Sequence, residues 1–151
     1  MTQYELIQIA SGFVGSLAFA ILFNTRGVRL LIAGLGGLLS WTAFVLLHYV
    51  IANDAVNYFF VALLITVYAE IMARVVKTPT TMFITTSLIP LIPGSSLYYT
   101  MAYAFGGHAE AFAEKGIYTL QLSAALALGI ILATTLTRGV THVGELLKHK
   151  K

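Results

Sequence analysis

The chain has no cysteine, which excludes disulfides, thiolate nucleophiles and thiolate metal sites. Charge is almost as scarce. Lys, Arg, Asp and Glu make up 10% of 151 residues while 58% are hydrophobic, and mean hydropathy is +0.86. That leaves too little polar surface for a soluble domain, so the composition describes an integral membrane protein with no separate soluble domain. The four histidines, His48, His108, His142 and His149, are scattered, so metal ligation and intramembrane hydrolysis lack the residues they need. Neither a nucleotide-binding loop nor any cofactor motif occurs. No repeat, low-complexity tract or linker stands out.

What the chain does have is apolar length. Five stretches, roughly 6 to 23, 30 to 52, 55 to 73, 79 to 105 and 117 to 137, are each long enough to span a bilayer. The expected fold is therefore an all-α membrane protein of five transmembrane helices in one domain, with a basic tail over 138–151. MTQYELIQ lacks the basic n-region of a secretion signal, and the apolar run continues to Phe23, so the first stretch reads as a retained helix. The connections are short except for Gly106 to Gly116, the one place where outer structure is expected.

The few charges are sorted. Arg26, Arg29, Arg74, Lys77, Arg138, Lys148, Lys150 and Lys151 all fall on one side, whereas Glu5, Asp54, Glu110 and Glu114 share the other with Lys115 alone. By the positive-inside rule the N-terminus lies outside and the C-terminus in the cytoplasm. The net charge of +3 follows from that bias and needs no nucleic-acid partner.

Small residues recur at helix-contact spacing: Ser11 with Gly15, Gly12 with Ser16, Ala33 with Gly37, Gly36 with Ser40, and Ala125 with Gly129. Such pairs let backbones approach where lipid provides no hydrophobic drive, and packing within one bundle is the plainer reading over a subunit interface. Glu70, Arg74 and Lys77 fall at i, i+4 and i+7 on the third stretch and read as one stripe. Either they anchor the helix end as an interfacial ion pair, or Glu70 exchanges protons or gates the cytoplasmic mouth. His48, on a face with Gly37, Trp41 and Phe44, is either a proton acceptor beside a cavity or an interfacial residue grouped with Tyr49.

All three prolines lie in the fourth stretch, TPTTMFITTSLIPLIPGSSLYYTMAY from Thr78 to Tyr103. Thr78 and Pro79 suit a helix start, and Pro79 to Pro90 rises ~16 Å, about half the hydrocarbon core. Pro90, Leu91, Ile92, Pro93 and Gly94 therefore predict a helix broken near the midplane. Carbonyls are freed on one side, while amides and hydroxyls at Gly94, Ser95 and Ser96 open the second half. One end favours a cation and the other an anion, so a zwitterionic amino acid, or a carboxylate with a coupling proton, suits the pair. Thr85, Thr86 and Ser87 add hydroxyls before the break; Tyr98, Tyr99 and Tyr103 follow it.

The run from Glu70 through Arg74, Lys77 and Pro79 into IPLIPGSSLYYTM resembles the bacterial threonine/serine exporter family, in particular its short, separately encoded C-terminal half. There a basic stretch and a proline precede a broken helix with a Pro-Leu-x-Pro-Gly signature and a tyrosine. The matching positions are Arg74, Lys77, Pro79, Pro90, Leu91, Pro93, Gly94 and Tyr98. Ser95 and Ser96 stand where relatives commonly have another glycine.

The resemblance implies the membrane subunit of a two-component secondary exporter in the bacterial inner membrane. Its expected partner is a separately encoded larger subunit with a cytoplasmic domain. Threonine or serine is the expected substrate, with a dicarboxylate such as succinate as the alternative; a non-transporting membrane scaffold is the competing class. On this reading Pro90, Pro93, Gly94, Ser95, Ser96 and Tyr98 bind substrate, and Glu70, Arg74, Lys77 and His48 serve gating or proton coupling.

Overall fold

A computed structural model describes residues 2–148, with side chains described for 2–139. His149, Lys150 and Lys151 lie outside the described residues, as do the side chains of His142 and Lys148. Six helices follow one another: α1 Gln3–Leu22, α2 Val28–His48, α3 Asp54–Val75, α4 Thr80–Leu88, α5 Gly94–Phe105 and α6 Ala109–Lys148, with a 3₁₀ turn over Ile89–Leu91 between α4 and α5. No strand occurs among the described residues.

Local chemistry sets the boundaries. Thr2 and Glu5 form a reciprocal capping box at the start of α1, with the Thr2 amide 2.6 Å from Glu5 Oε2 and the Glu5 amide 3.3 Å from Thr2 Oγ1. That satisfies two of the donors a helix start leaves unpaired. Asn53 does the same for α3, accepting from the Val56 amide at 3.2 Å. Pro79, rather than Thr78, occupies the cap position of α4.

The largest departure from expectation is α6. The loop read over Gly106 to Gly116 shrinks to three residues, Gly106 to His108, and the helix begins at Ala109. Ala, Glu and Lys are strong helix formers, so AEAFAEKG is helical although it is not apolar, and hydropathy does not register it. At 40 residues α6 is ~60 Å long, about twice the hydrocarbon core.

The helices run up and down. At one end Tyr49 Oη donates to Glu5 at 2.7 Å, Tyr118 Oη donates to Asp54 at 2.6 Å, and His48 Nδ1 stands 3.7 Å from Asp54. At the other end Thr25 Oγ1 donates to Met82 Sδ at 3.3 Å and Arg74 donates to the Thr137 carbonyl at 3.3 Å. The first end carries Glu5, Asp54, Glu110 and Glu114; the second carries Arg26, Arg29, Arg74, Lys77 and Arg138. We call them the acidic and basic ends.

Two apolar clusters fill the bundle. One joins Tyr58, Val61, Ile65, Leu88, Leu91 and Leu122, and the other, nearer the basic end, packs Phe83 among Ala20, Ala33, Ala69 and Ala73. Glycines carry the closest approaches. A Cβ on Gly37 would collide with the Ser16 side chain and lie 2.6 Å from the Gly12 carbonyl oxygen; one on Gly129 would lie 2.6 Å from the Phe59 carbonyl oxygen. Gly36 meets Ser87 in the same way. Most of the small-residue pairs therefore serve packing inside the bundle. Ser11 with Gly15 does not, because Ser11 is exposed and a Cβ on Gly15 would meet nothing within 4 Å.

The outer surface is apolar: Leu31 and Leu132 on other helices, and Leu97, Tyr99 and Met101 on α5, are all exposed. α1, α2, α3 and α6 each combine the length and hydropathy of a membrane span, and Thr80–Leu91 adds a shorter apolar segment. The chain is an α-helical, multi-pass membrane protein.

Candidate functional site

Pro90 has no N–H for the Thr86 carbonyl and Pro93 none for that of Ile89. The chain responds by tightening into the 3₁₀ turn and then extending at Ile92 (φ −60°, ψ 125°). The Ile92 amide reaches the Ile89 carbonyl at 3.1 Å, and regular pairing resumes only with Leu97 to Pro93 at 3.0 Å. The fourth stretch is thus two helices with about a turn of irregular backbone between them.

One detail corrects the sequence reading. The Gly94 amide is already engaged with the Ile92 carbonyl at 2.6 Å, because the tight turn out of Pro93 folds it back, so it is no free donor. The Ser95 and Ser96 amides have no backbone partner among the described residues. Pro93 and Ser96 are buried, whereas Gly94 and Ser95 are exposed and a Cβ on Gly94 would enter open space. Tyr98 is 69% exposed, against the edge of the Tyr99 ring. The expected binding residues therefore do not face one point.

α5 packs chiefly on α6, tied there by Thr100 and Thr119, whose hydroxyl oxygens are 3.2 Å apart. Pro90 instead faces α1. With Tyr4, Gln8, Ser11, Gly15 and Trp41 it lines an open groove of about 400 Å³. Sequence reasoning missed this face, although 4, 8, 11 and 15 have the spacing of a single helical stripe. A polar Gln8 and Ser11 in an apolar helix were the available signal. Around the groove and in the core, Ser16 Oγ, Trp41 Nε1, Asn57 Oδ1, Thr66 Oγ1 and Ser87 Oγ are buried without a hydrogen-bond partner among the described residues.

Glu70 is 6% exposed on α3. Its Oε2 stands 3.5 Å from Arg74, whose side chain is 46% exposed and also serves the Thr137 carbonyl. Lys77 leaves the expected stripe. α3 ends at Val75 and Lys77 turns left-handed at φ 49°, so the i+7 relation to Glu70 is lost; no ion pair joins them among the described residues. His48 sits at the acidic end, stacked on Phe44 with ring centroids 6.2 Å apart, away from Glu70. Its side chain is 58% exposed, as befits a residue at a helix end. Beside it the Tyr49 phenol is held above its ordinary pKa, chiefly because it donates to Glu5.

Chemically, the arrangement offers an interrupted helix with unpaired backbone groups, a groove leading from it towards the acidic end, and a buried carboxylate in the basic half. No cluster of His, Asp and Glu fit to hold a metal occurs among the described residues. Neither curated proteins nor solved structures give a match to the chain. The family model described as "Threonine/Serine exporter, ThrE" matches residues 8–136, a span that takes in the groove apart from Tyr4 and Ile7, Glu70 and the whole of the break. The chain belongs to the threonine/serine exporter family.

Proposed function

We propose that the chain is the membrane subunit of a two-component secondary exporter of the bacterial inner membrane, moving threonine or serine outward with a larger, separately encoded subunit. The break between Leu88 and Gly94 is the observation that carries this reading. Irregular backbone at membrane depth is tolerated where it is buried in protein or lines a cavity, and broken helices are where secondary transporters place their substrate. On this reading the substrate carboxylate is held by the amides of Ser95 and Ser96, at the positive end of α5. Pro90, Pro93 and Gly94 shape the approach and Tyr98 borders it. Glu70, restrained by Arg74, exchanges the coupling proton; Lys77 and His48 act at the two mouths. On this reading five crossings, counting α4 and α5 as one, set the termini on opposite sides, and the charge bias favours an outer N-terminus and a cytoplasmic C-terminus.

Counterflow of labelled threonine by the chain reconstituted with the product of the adjacent gene tests the reading. Gly94→Leu puts a side chain into the open space beside the break and is expected to raise the half-saturating concentration at least ~10-fold. Ser95→Ala keeps the amide, so a change below ~3-fold is expected, in keeping with one neutral hydrogen bond. If Gly94→Leu leaves threonine and succinate handling alike unchanged, the break is not the site and a scaffold becomes the better reading.

Orientation has its own check. Single cysteines at Asp54 and His108 are expected to react with an impermeant thiol reagent in intact cells and one at Lys148 is not; the reverse pattern would invert the topology.

A further inference from the structure

The groove beside Pro90 has a counterpart. A second open cavity, again about 400 Å³, lies in the basic half among Phe23, Thr81, Met82 and Thr85. Thr81, Thr85 and Ile89 follow one another at i, i+4 and i+8, so they form one stripe along the fourth stretch. Ile89 belongs to the first cavity and Thr85 to the second. The opposite wall comes from α1 at 4–15 in one case and from Phe23, the residue capping its end, in the other. The two cavities therefore follow one another along the seam between α1 and the fourth stretch, one turn apart on the fourth stretch and about two turns apart on the α1 side. The interior of the bundle is packed by the two apolar clusters.

The seam is also wrongly equipped to face lipid. Ser11, Thr81 and Thr85 are exposed along it; the Ser11 and Thr85 hydroxyls donate to carbonyls one turn back, on Ile7 and Thr81, whereas the Gln8 side chain has no hydrogen-bond partner among the described residues although it belongs to a membrane-length helix. A primary amide in hydrocarbon is costly unless water or a ligand pairs with it. Trp41, on the groove wall, adds an aromatic surface and a buried indole N–H that lacks an acceptor. No ionised side chain lines either cavity, so the polar contacts a ligand finds there come from neutral amide, hydroxyl and indole groups.

We propose that the α1–α4 seam is the substrate path, with the acidic-end groove as its outer vestibule, the basic-end cavity as its inner one, and the turn between Thr85 and Ile89 as the closed point. The ligand is a small zwitterion, and Gln8, Ser11 and Trp41 are its outer contacts. This deepens the exporter reading and rests on it.

The test uses single cysteines in a chain that has none of its own, expressed in cells of its own host. Ser11→Cys and Gly15→Cys are expected to react from outside with a small anionic thiosulfonate at least ~10-fold faster than Ala10→Cys, which is exposed on the same helix but outside the groove. Saturating threonine is expected to slow them at least ~3-fold, and Thr81→Cys is expected to react only in inverted vesicles. Trp41→Phe, which keeps the ring and removes the N–H, is expected to raise the half-saturating threonine concentration ~5-fold. Equal rates at positions 10, 11 and 15 would mean a lipid-filled groove and overturn the proposal, as would fast labelling that threonine does not slow. Threonine counterflow measured on the same variants separates the two readings. Intact counterflow with slow labelling removes the seam and spares the exporter; absence of counterflow in the unmodified chain removes both.

Discussion

Glu70→Gln is expected to lower threonine efflux at least ~10-fold while the protein still inserts and accumulates normally. Glutamine keeps the size and most of the hydrogen bonding of glutamate and removes the ionisable proton. An acid that is 6% exposed in a membrane helix is costly to keep, and its one described ionic partner is Arg74 at 3.5 Å, a guanidinium shared with the Thr137 carbonyl. That is a loose pair. A carboxylate held for anchoring alone is better served by a short, bidentate contact. A tenfold loss needs only ~1.4 kcal/mol at the limiting step. Glu70→Asp, which retains the acid one methylene further back, is expected to recover part of the activity. Near-normal efflux by Glu70→Gln would leave Glu70 as an anchor and move coupling elsewhere. Arg74→Gln would then show the larger effect, on protein level rather than on turnover.

Gly37→Leu is expected to abolish the folded bundle. Its Cβ would meet the Ser16 side chain, which could rotate away, but also the Gly12 carbonyl oxygen at 2.6 Å, which can move only if α1 moves. In lipid the association of α1 with α2 depends on such close packing and not on a hydrophobic drive. Overpacking that forces backbone shifts costs about 1–3 kcal/mol, occasionally more, a large share of a marginal stability. Gly15→Ala, four residues from a similar small residue on the same helix, meets nothing within 4 Å and is expected to change stability by less than ~0.5 kcal/mol. Thermal unfolding of the detergent-solubilised protein followed by size exclusion reads both. Equal losses at the two positions would show that the contact at Gly37 does not hold the helices together.

The spans were legible because burial in lipid leaves an unambiguous hydropathy signal, and the break was legible because two prolines remove specific donors. Three features were not, each for a physical reason. Ala109 to Gly116 is helical without being apolar, so a criterion tuned to hydrocarbon passed over it. Lys77 left the stripe of Glu70 because α3 ends at Val75, and a spacing argument holds only while the helix lasts. The groove is built by α1, whose Gln8 and Ser11 are unremarkable singly; their meaning comes from Pro90, eighty residues away in the chain. Gly94 illustrates the converse, since a motif glycine expected to donate its amide spends that hydrogen on Ile92.

The way α5 is attached has a further consequence. An exporter does work by visiting two shapes in turn, and the rate at which it cycles is set by the lowest barrier available to a moving part. α5 rests chiefly on α6, is joined to it by a three-residue turn, and is joined to α4 through a segment that no regular helical ladder crosses. Rotating it would disturb one interface, whereas rotating α2 or α3 would disturb several. On the proposed reading, the prolines that open a place for the substrate also put the hinge of the cycle beside it, so that binding and motion can exchange energy over a distance of a few residues.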